Sequence, residues 1–228
     1  MLRILFCFVA ITAYGSELLD KFAEPNLEKI YEYYAHLGPQ DCDIGEHMHV
    51  LRRLAAECPH IVEIGIANVI STWGILQGLA DNPAEERSYL GIDIKWPPLD
   101  NLQFAQEEAE KRGISFEFRL GNDLHLDIEP ADFLFIDSMH TYCHLSYELE
   151  TFSPKIRKYI AMHDTSEPWG HREDGEYQGD YSEYPAHYPR YRRGLWPAVV
   201  DFLRTHPEWV LEERRLNCHG FTILRRVK

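Results

Sequence analysis

VEIGIANVIST at residues 62–72 and YLGIDIK at residues 89–95 are the two stretches that decide the fold of this chain. In the first, an apolar strand ends in Glu63 and Gly65 and a helix then begins; in the second, the next strand ends in Asp93. A glycine lets the backbone approach a ligand closely, and a helix start offers free N–H groups. An acid at the tip of the second strand can bind ribose hydroxyls. The two stretches therefore predict the first half of a nucleotide-type α/β site.

Two further strands are predicted to end in ligand-type side chains. FLFID at residues 133–137 ends in Asp137, and AMHDT at residues 161–165 carries the pair His163-Asp164. IVEIG at residues 61–65 and FLFID are near-continuous apolar runs, as is typical of strands that helices cover on both faces. Because the carboxyl ends of parallel strands meet at one edge of a sheet, these strand ends predict a single ligand cleft.

Apolar periodicity along the chain alternates between helical and strand-like segments, as in a doubly wound Rossmann-like sheet with helices on both faces. HPEWVLEERRLNCHGFTILRR at residues 206–226 predicts a terminal hairpin with its apex near 217–220. Helices are expected near residues 17–36, 45–57, 70–80, 101–112, 143–152 and 195–205. Strands are expected near residues 61–65, 88–93, 114–120, 132–137, 157–163, 208–214 and 219–226.

Three segments are predicted from the chain of 228 residues, which is long enough for one α/β domain with a full core. Residues 1–15 contain Arg3 and an apolar run too short to span a bilayer, and they predict a secretory signal peptide cut near Gly15. An uncleaved apolar helix or a misassigned start codon is the alternative. Residues 16–57 are expected to form N-terminal helices, and residues 58–228 the main domain. Within it, residues 165–193 lack periodicity and predict a lid loop.

Composition excludes several classes of partner. The formal net charge of −14 argues against nucleic acid or an anionic membrane as the main partner. No membrane span is expected once the leader is removed. The cysteines after the leader lack CxxC spacing, so buried thiols are favoured over disulfides or a zinc site. These four cysteines are Cys42, Cys58, Cys143 and Cys218.

A family resemblance emerges from two longer stretches, IDSMHTYCHLSYELETFSPKIRKYIAMHDT at residues 136–165 and GLWPAVVDFLRTHPEW at residues 194–209. From about residue 45 to residue 226 the chain resembles the class I S-adenosylmethionine-dependent methyltransferases. More narrowly, it resembles the Methyltransferase-24 group, which includes macrocin-type sugar O-methyltransferases and cephalosporin-hydroxylase-like proteins. The resemblance implies a seven-stranded sheet whose last strand inserts antiparallel between strands five and six.

The same resemblance implies a cofactor, S-adenosylmethionine, and a set of residues that contact it. The acid-glycine pair, Glu63 and Gly65, and the helix start at Ser71 and Thr72 would lie beside the methionine part of the cofactor. Asp93, the second strand-end acid, would bind the ribose. Asn122 and Asp123, in the turn GNDL, would contact the adenine edge. One position departs from the family: Val69 replaces the usual second glycine, where a β-branched residue disfavours positive φ and would narrow the cleft.

A metal site is the next expectation, because Asp137, His163 and Asp164 should converge at the strand ends. The resemblance to metal-dependent O-methyltransferases of the catechol type implies a divalent ion here that holds the acceptor hydroxyl and lowers its pKa. Magnesium, manganese and iron all remain candidates, since a histidine ligand suits the transition metals better. The alternative is that His163 only orients Asp164. His140 could accept the proton as a general base, or merely brace the Asp137 turn.

These expectations lead to one favoured function and two alternatives. The favoured function is S-adenosylmethionine-dependent O-methyl transfer to a small hydroxylated acceptor, with possible help from a metal. The alternatives are a metal-dependent hydroxylase-like enzyme and a non-catalytic binding protein on the same scaffold. A plain NAD-binding domain is disfavoured because G-x-G-x-x-G is absent after the first strand. The leader suggests export or a lumen, whereas a supply of S-adenosylmethionine favours the cytoplasm.

Overall fold

The structure is a computed structural model that describes residues 18–37, 42–171, 181–188 and 192–227. Its strands are β1 (His60–Ile64), β2 (Arg87–Asp93), β3 (Ile114–Leu120), β4 (Ala131–Ile136), β5 (Ile156–His163), β6 (Trp209–Arg215) and β7 (Phe221–Arg226). They form one sheet in the order β3-β2-β1-β4-β5-β7-β6. β1 to β5 are parallel, and β7 is antiparallel to both of its neighbours, β5 and β6. The predicted sheet is confirmed, including the antiparallel insertion of the last strand.

Helices cover both faces of the sheet, as predicted. They are α1 (Leu27–Ala35), α2 (Met48–Ala56), α3 (Ile70–Asp81), α4 (Leu99–Glu110), α5 (Tyr142–Phe152) and α6 (Leu195–Thr205). Successive strand residues point to opposite faces, so Ile61 packs into the core under α1 to α4, whereas Val62 packs into the core under α5 and α6. The four cysteines after the predicted leader are buried, as expected.

Two sequence-based segments fall partly or wholly outside the described residues. The predicted leader at residues 1–15 lies outside them, and so do residues 172–180 and 189–191 of the predicted lid. Within the described ranges, no helix combines the length and the apolar character needed to cross a membrane.

The N-terminal helix is shorter than the sequence pattern indicates. Instead of one helix over 17–36, a short 3₁₀ turn at Leu19–Lys21 precedes α1, which begins only at Leu27. Asn26 caps this start, because its side chain accepts a hydrogen bond from the backbone N–H of Lys29 at 3.0 Å. Pro25 and the Asn26 cap separate the 3₁₀ turn from α1, because proline is tolerated near a helix start but not within a helix. The apolar spacing of the sequence continues across this break and therefore does not reveal it.

Val69 adopts the backbone conformation of the glycine that it replaces. Its φ is 68° and its ψ 17°, in the left-handed region, immediately before α3 begins. This conformation costs a residue with a Cβ about 1–2 kcal/mol. The Val69 side chain is fully buried in the core under α1 to α4, and that burial offsets the backbone strain.

Glu63 ties β1, α3 and β2 together through a buried network. Its carboxylate accepts hydrogen bonds from the hydroxyls of Ser71, of Thr72 at 2.8 Å and of Tyr89 at 2.5 Å. Glu63 is fully buried, and burial raises its pKa to about 7 even though the three hydroxyls act in the opposite direction. The acid at this position therefore has a full set of partners inside the protein.

Gly65 lies where the ends of β1 and β4 approach most closely. Its φ is +85°, and a Cβ atom there would lie 2.1 Å from the carbonyl oxygen of Asp137. The sheet hydrogen bonds continue past the strand ends at this point, from Gly65 N–H to Ile92 O at 2.9 Å and from Asp137 N–H to Ile64 O at 2.8 Å. Only glycine satisfies both the dihedral angle and the close approach.

Replacing Gly65 should therefore be far more costly than replacing a glycine that only needs positive φ. We expect Gly65→Ala to lower the free energy of unfolding by roughly 2–5 kcal/mol, from left-handed strain and overpacking together. Gly113→Ala is the matched control, because φ is +67° there and a Cβ would meet only Arg87 Nη2 at an ordinary 3.7 Å. Its loss should be about 1 kcal/mol. Equal losses in urea unfolding would contradict the close approach.

The burial of Glu63 should make stability depend on pH. An ordinary glutamate titrates near 4.5, whereas Glu63 titrates near 7 in the folded protein. The folded state therefore holds a proton that the unfolded chain releases, and stability is lost as pH rises from 4.5 through 7. The free energy of unfolding should fall by at most about 3 kcal/mol relative to Glu63→Gln, whose side chain does not titrate. Urea unfolding of both proteins at pH 4.5 and pH 8 measures this, and a constant difference between them would rule out the shifted pKa.

Candidate active site

A cavity of about 660 Å³ opens at the carboxyl edge of the sheet. It lies where the chain has passed from β1 through β2 to β3 and then crosses back to β4, which is the switch point where ligands bind in doubly wound sheets. Its volume is in the range of small-molecule sites. The lining comes from the segments after β1, β2, β3 and β4, at residues 64–65, 67–68, 92–98, 121–124 and 137–139, and from His144 and Tyr184.

Five of the site residues predicted from the sequence line this cavity: Gly65, Asp93, Asn122, Asp123 and Asp137. Glu63, Ser71 and Thr72 do not line it, because their side chains are buried in the hydrogen-bonded network behind Gly65. Val69 does not line it either, so its side chain does not narrow the described cavity.

Asp93 fixes the wall of the cavity through backbone contacts. Its Oδ2 accepts hydrogen bonds from the N–H groups of Ile66 at 3.0 Å and Ala67 at 2.9 Å. Its Oδ1 accepts one from the N–H of Lys95 at 2.9 Å. The loops after β1 and β2 are thereby joined by one carboxylate. Since each carboxylate oxygen has two lone pairs, Oδ1 keeps accepting capacity toward the cavity.

Asn122 and part of the predicted lid meet at the opposite end of the cavity. The Oδ1 of Asn122 caps the turn at Asp123–His125 by accepting from Leu124 N–H at 3.1 Å, and its Nδ2 donates to Glu183 at 3.1 Å. Glu183 also lies 3.5 Å from His125 Nε2. Next to it, Tyr184 is buried and lines the cavity. Residues 181–188 therefore border the cavity.

Asp137, His163 and Asp164 converge as the sequence predicts. His163 Nε2 lies 2.9 Å from the carbonyl oxygen of Cys218, and it must carry a proton because a carbonyl can only accept. The other nitrogen, Nδ1, lies 3.6 Å from Asp137 Oδ1 and 3.5 Å from Asp164 Oδ2. Among the described residues it has no hydrogen-bond partner, although His163 is buried. Asp164 has a φ of 57°, a strained conformation that is found most often at functional sites.

His140 completes this group from the loop after β4. Its Nε2 lies 2.8 Å from Asp164 and 3.6 Å from Asp137, and its ring lies 5.1 Å from that of Trp169. Burial lowers the pKa of His140, but the two carboxylates outweigh it and raise the pKa to about 9. Burial raises the pKa of both carboxylates, yet the two histidines hold them below their ordinary values. With these partners alone, His140 is protonated at neutral pH.

A second polar cluster adjoins the cavity and was not anticipated as a site. Asp123, His144 and Glu148 lie together, with His144 and Glu148 one helical turn apart on α5. Burial raises the pKa of Glu148 to about 8, although His144 acts to lower it. The signal in the sequence was the i, i+4 spacing of a histidine and an acid on one helix face. Only folding brings Asp123 to them.

Similarity to known proteins is visible in structure and not in sequence. No protein-family description and no curated protein matches the chain. Its structure is similar to an O-methyltransferase from Bacillus cereus in complex with SAH, at a TM-score of 0.51 and 16% identity over 92% of this chain and 95% of the other. It is similar to an SAH-bound methyltransferase from Podospora anserina, at 0.53 and 15% over 100% of both chains. A methyltransferase from Geobacter sulfurreducens gives 0.54 and 14%, over 96% and 92%. At these identities the similarity establishes the fold: this chain has the Rossmann-like fold of class I methyltransferases.

Proposed function

We propose that this protein is an S-adenosylmethionine-dependent O-methyltransferase that acts on a hydroxyl group of a small molecule. One observation carries the proposal: the cavity at the switch point runs from Gly65 and Asp93 to Asp137, which is also a member of the Asp137–His163–Asp164 triad. A nucleotide-type cofactor held by the first two residues would therefore end beside a group of ligand-type side chains. The SAH in two of the similar structures supports this choice of cofactor.

The cavity has the lining that such a cofactor requires. Asp93 presents a carboxylate for ribose hydroxyls, and Asn122 and Asp123 offer polar groups at the opposite end. Ile92 and Trp96 provide apolar surface in the lining. The Trp96 ring contacts Phe118 at 5.2 Å and is 61% exposed, so its exposed part could pack on a base. Gly65 lets the backbone approach the ligand closely. Positioning is the main requirement, since a sulfonium methyl group is already activated.

The triad fits a divalent metal ion. His163 Nδ1 faces two carboxylates and would offer its lone pair to an ion that displaces its proton. Its distances of 3.5 and 3.6 Å to the carboxylates are close to the spacing of ligands each about 2.1 Å from one ion. A mixed imidazole and carboxylate set favours manganese or iron over magnesium. When bound, such an ion supplies the positive charge that holds an acceptor hydroxyl and lowers its pKa.

His140 is the residue placed to receive the acceptor's proton. Its pKa near 9 arises from the charges of Asp137 and Asp164, so it would fall once those charges are neutralised. His140 Nε2 could then accept the proton as the hydroxyl oxygen forms its bond to the methyl group. Trp169 lies against the His140 ring and would keep water from this side of the acceptor.

A titration of the protein with S-adenosylmethionine, with and without manganese, tests the proposal directly. Binding at micromolar concentration, followed by methyl transfer to members of a panel of sugars and phenols, is the expected result. Absence of binding at millimolar concentration would overturn it. In that case the triad with its histidine favours a metal-dependent enzyme of another class on the same scaffold.

Asp93→Ala should weaken S-adenosylmethionine binding by about 10- to 100-fold, because hydrogen bonds to a charged group contribute about 1.5–3 kcal/mol. Calorimetric titration measures the affinity. Asp132→Ala is the matched control: Asp132 also accepts a backbone hydrogen bond, from His60 N–H at 3.1 Å, but at the opposite edge of the sheet. Unchanged affinity in a folded Asp93→Ala protein would contradict the ribose contact.

Asp137→Asn should remove most manganese binding at the triad while leaving the fold intact, because the amide keeps the shape and loses the charge. Asp127→Asn is the control, since Asp127 is an exposed acid paired with Lys155 and does not line the cavity. Manganese binding is measured by electron paramagnetic resonance of the free ion, and methyl transfer by product formation. Methyl transfer that persists in Asp137→Asn and in chelator would argue against a role for the metal.

A further inference from the structure

His144 and Glu148 have no role in the mechanism above, and they form a buried cluster with Asp123, one of the polar residues of the proposed cofactor cavity. Asp123 comes from the turn after β3, and the other two come from adjacent turns of α5. One ligand atom from each lies within 4.8 Å of the others. His144 Nε2 is 3.1 Å from Asp123 Oδ2 and 3.6 Å from Glu148 Oε1.

One polar atom of each residue in this cluster lacks a hydrogen-bond partner among the described residues. Asp123 is 8% exposed, His144 5% and Glu148 0%. Among the described residues, Asp123 Oδ2, His144 Nε2 and Glu148 Oε2 are buried and form no hydrogen bond. Burying a carboxylate without a compensating partner is costly, so a cation bound beside these two carboxylates would lower that cost.

Outer contacts hold two of the three residues of the cluster. His144 Nδ1 lies 2.6 Å from the hydroxyl of Tyr184, and if Nδ1 donates to that oxygen, Nε2 is left as a lone pair facing the carboxylates. Ser138 Oγ donates to Glu148 Oε1 at 2.6 Å and holds that carboxylate in place. Such outer contacts are typical of metal sites, where they fix the histidine tautomer and the orientation of the acids.

We propose that Asp123, His144 and Glu148 form a second metal site, which binds a divalent transition-metal ion such as manganese, iron, cobalt or zinc. Ligands each about 2.1 Å from one ion lie about 3.0–3.4 Å apart, so gaps of 3.1 and 3.6 Å need little adjustment. One imidazole and two carboxylates select these ions over magnesium and calcium. The site uses none of the residues of the Asp137 triad and shares Asp123 with the proposed cofactor cavity, and metal stoichiometry tests it separately from methyl transfer.

The position of this site gives it a structural effect on the cavity. Asp123 and His144 line the cavity wall, and Tyr184 reaches His144 from residues 181–188. Ser138, which bonds Glu148, directly follows Asp137 in the chain. An ion held here would therefore join the turn after β3 to α5 and stabilise the contact with residues 181–188, so that the cavity keeps its shape.

The test is a measurement of metal stoichiometry by elemental analysis after loading with cobalt, together with the absorption spectrum of the bound cobalt. The wild type is expected to bind two equivalents, and His144→Gln and Asp137→Asn one each. His125→Gln is the matched control, because His125 lies on the same turn as Asp123 but is exposed. It should keep both equivalents and the wild-type spectrum.

The outcomes separate the two sites. The second site is overturned if a folded His144→Gln protein still binds two equivalents of cobalt. It is also overturned if the wild type binds one equivalent and Asp137→Asn binds none. If His144→Gln does not fold, Asp137→Asn decides: one tightly bound equivalent supports the second site, and none overturns it. If the wild type binds one equivalent of cobalt and Asp137→Asn also binds one, the second site is supported and metal binding at the triad is contradicted.

Discussion

The close approach of Gly65 to the backbone of Asp137 is the constraint on which the site depends. Without a Cβ at Gly65, the ends of β1 and β4 can continue their hydrogen bonding past the last paired residues. This places Asp137 in the lining of the cavity and in the triad at once. The Asp93 carboxylate then holds the loop that begins at Gly65, through the N–H groups of Ile66 and Ala67.

Buried acids divide into two kinds by the partners that surround them. Glu63 is saturated by three hydroxyls, which suits a residue that joins elements of the fold. Asp164 and Glu148 instead face histidine nitrogens that lack partners of their own among the described residues. The first arrangement is complete within the protein, whereas the second keeps unpartnered atoms, to which our proposals assign a cation. This difference in hydrogen-bond satisfaction, more than residue type, separates a structural acid from a candidate ligand.

The candidate site is assembled from parts that lie far apart in the chain. The turn at Asp123–His125, the loop at residues 137–140 and the end of β5 lie at one edge of the sheet. The first two contribute to the lining of one cavity together with Tyr184, and the end of β5 adjoins Asp137. None of these segments has a site alone. The sheet brings the first three to a common edge, and residues 181–184 are held there by Asn122 and His144.

Local sequence pattern determined the order of strands and helices, most of their bounds and the residues at the strand ends, because apolar periodicity and strand-end acids act over a few residues. The convergence of Asp137, His163 and Asp164 followed from that order, since parallel strands end at one edge. The direction in which each side chain points could not be predicted from that order. Glu63 turns into the core, Val69 adopts a glycine's backbone conformation, and Asp123 meets His144 and Glu148. These outcomes depend on packing between elements distant in sequence, and only the tertiary structure decides them.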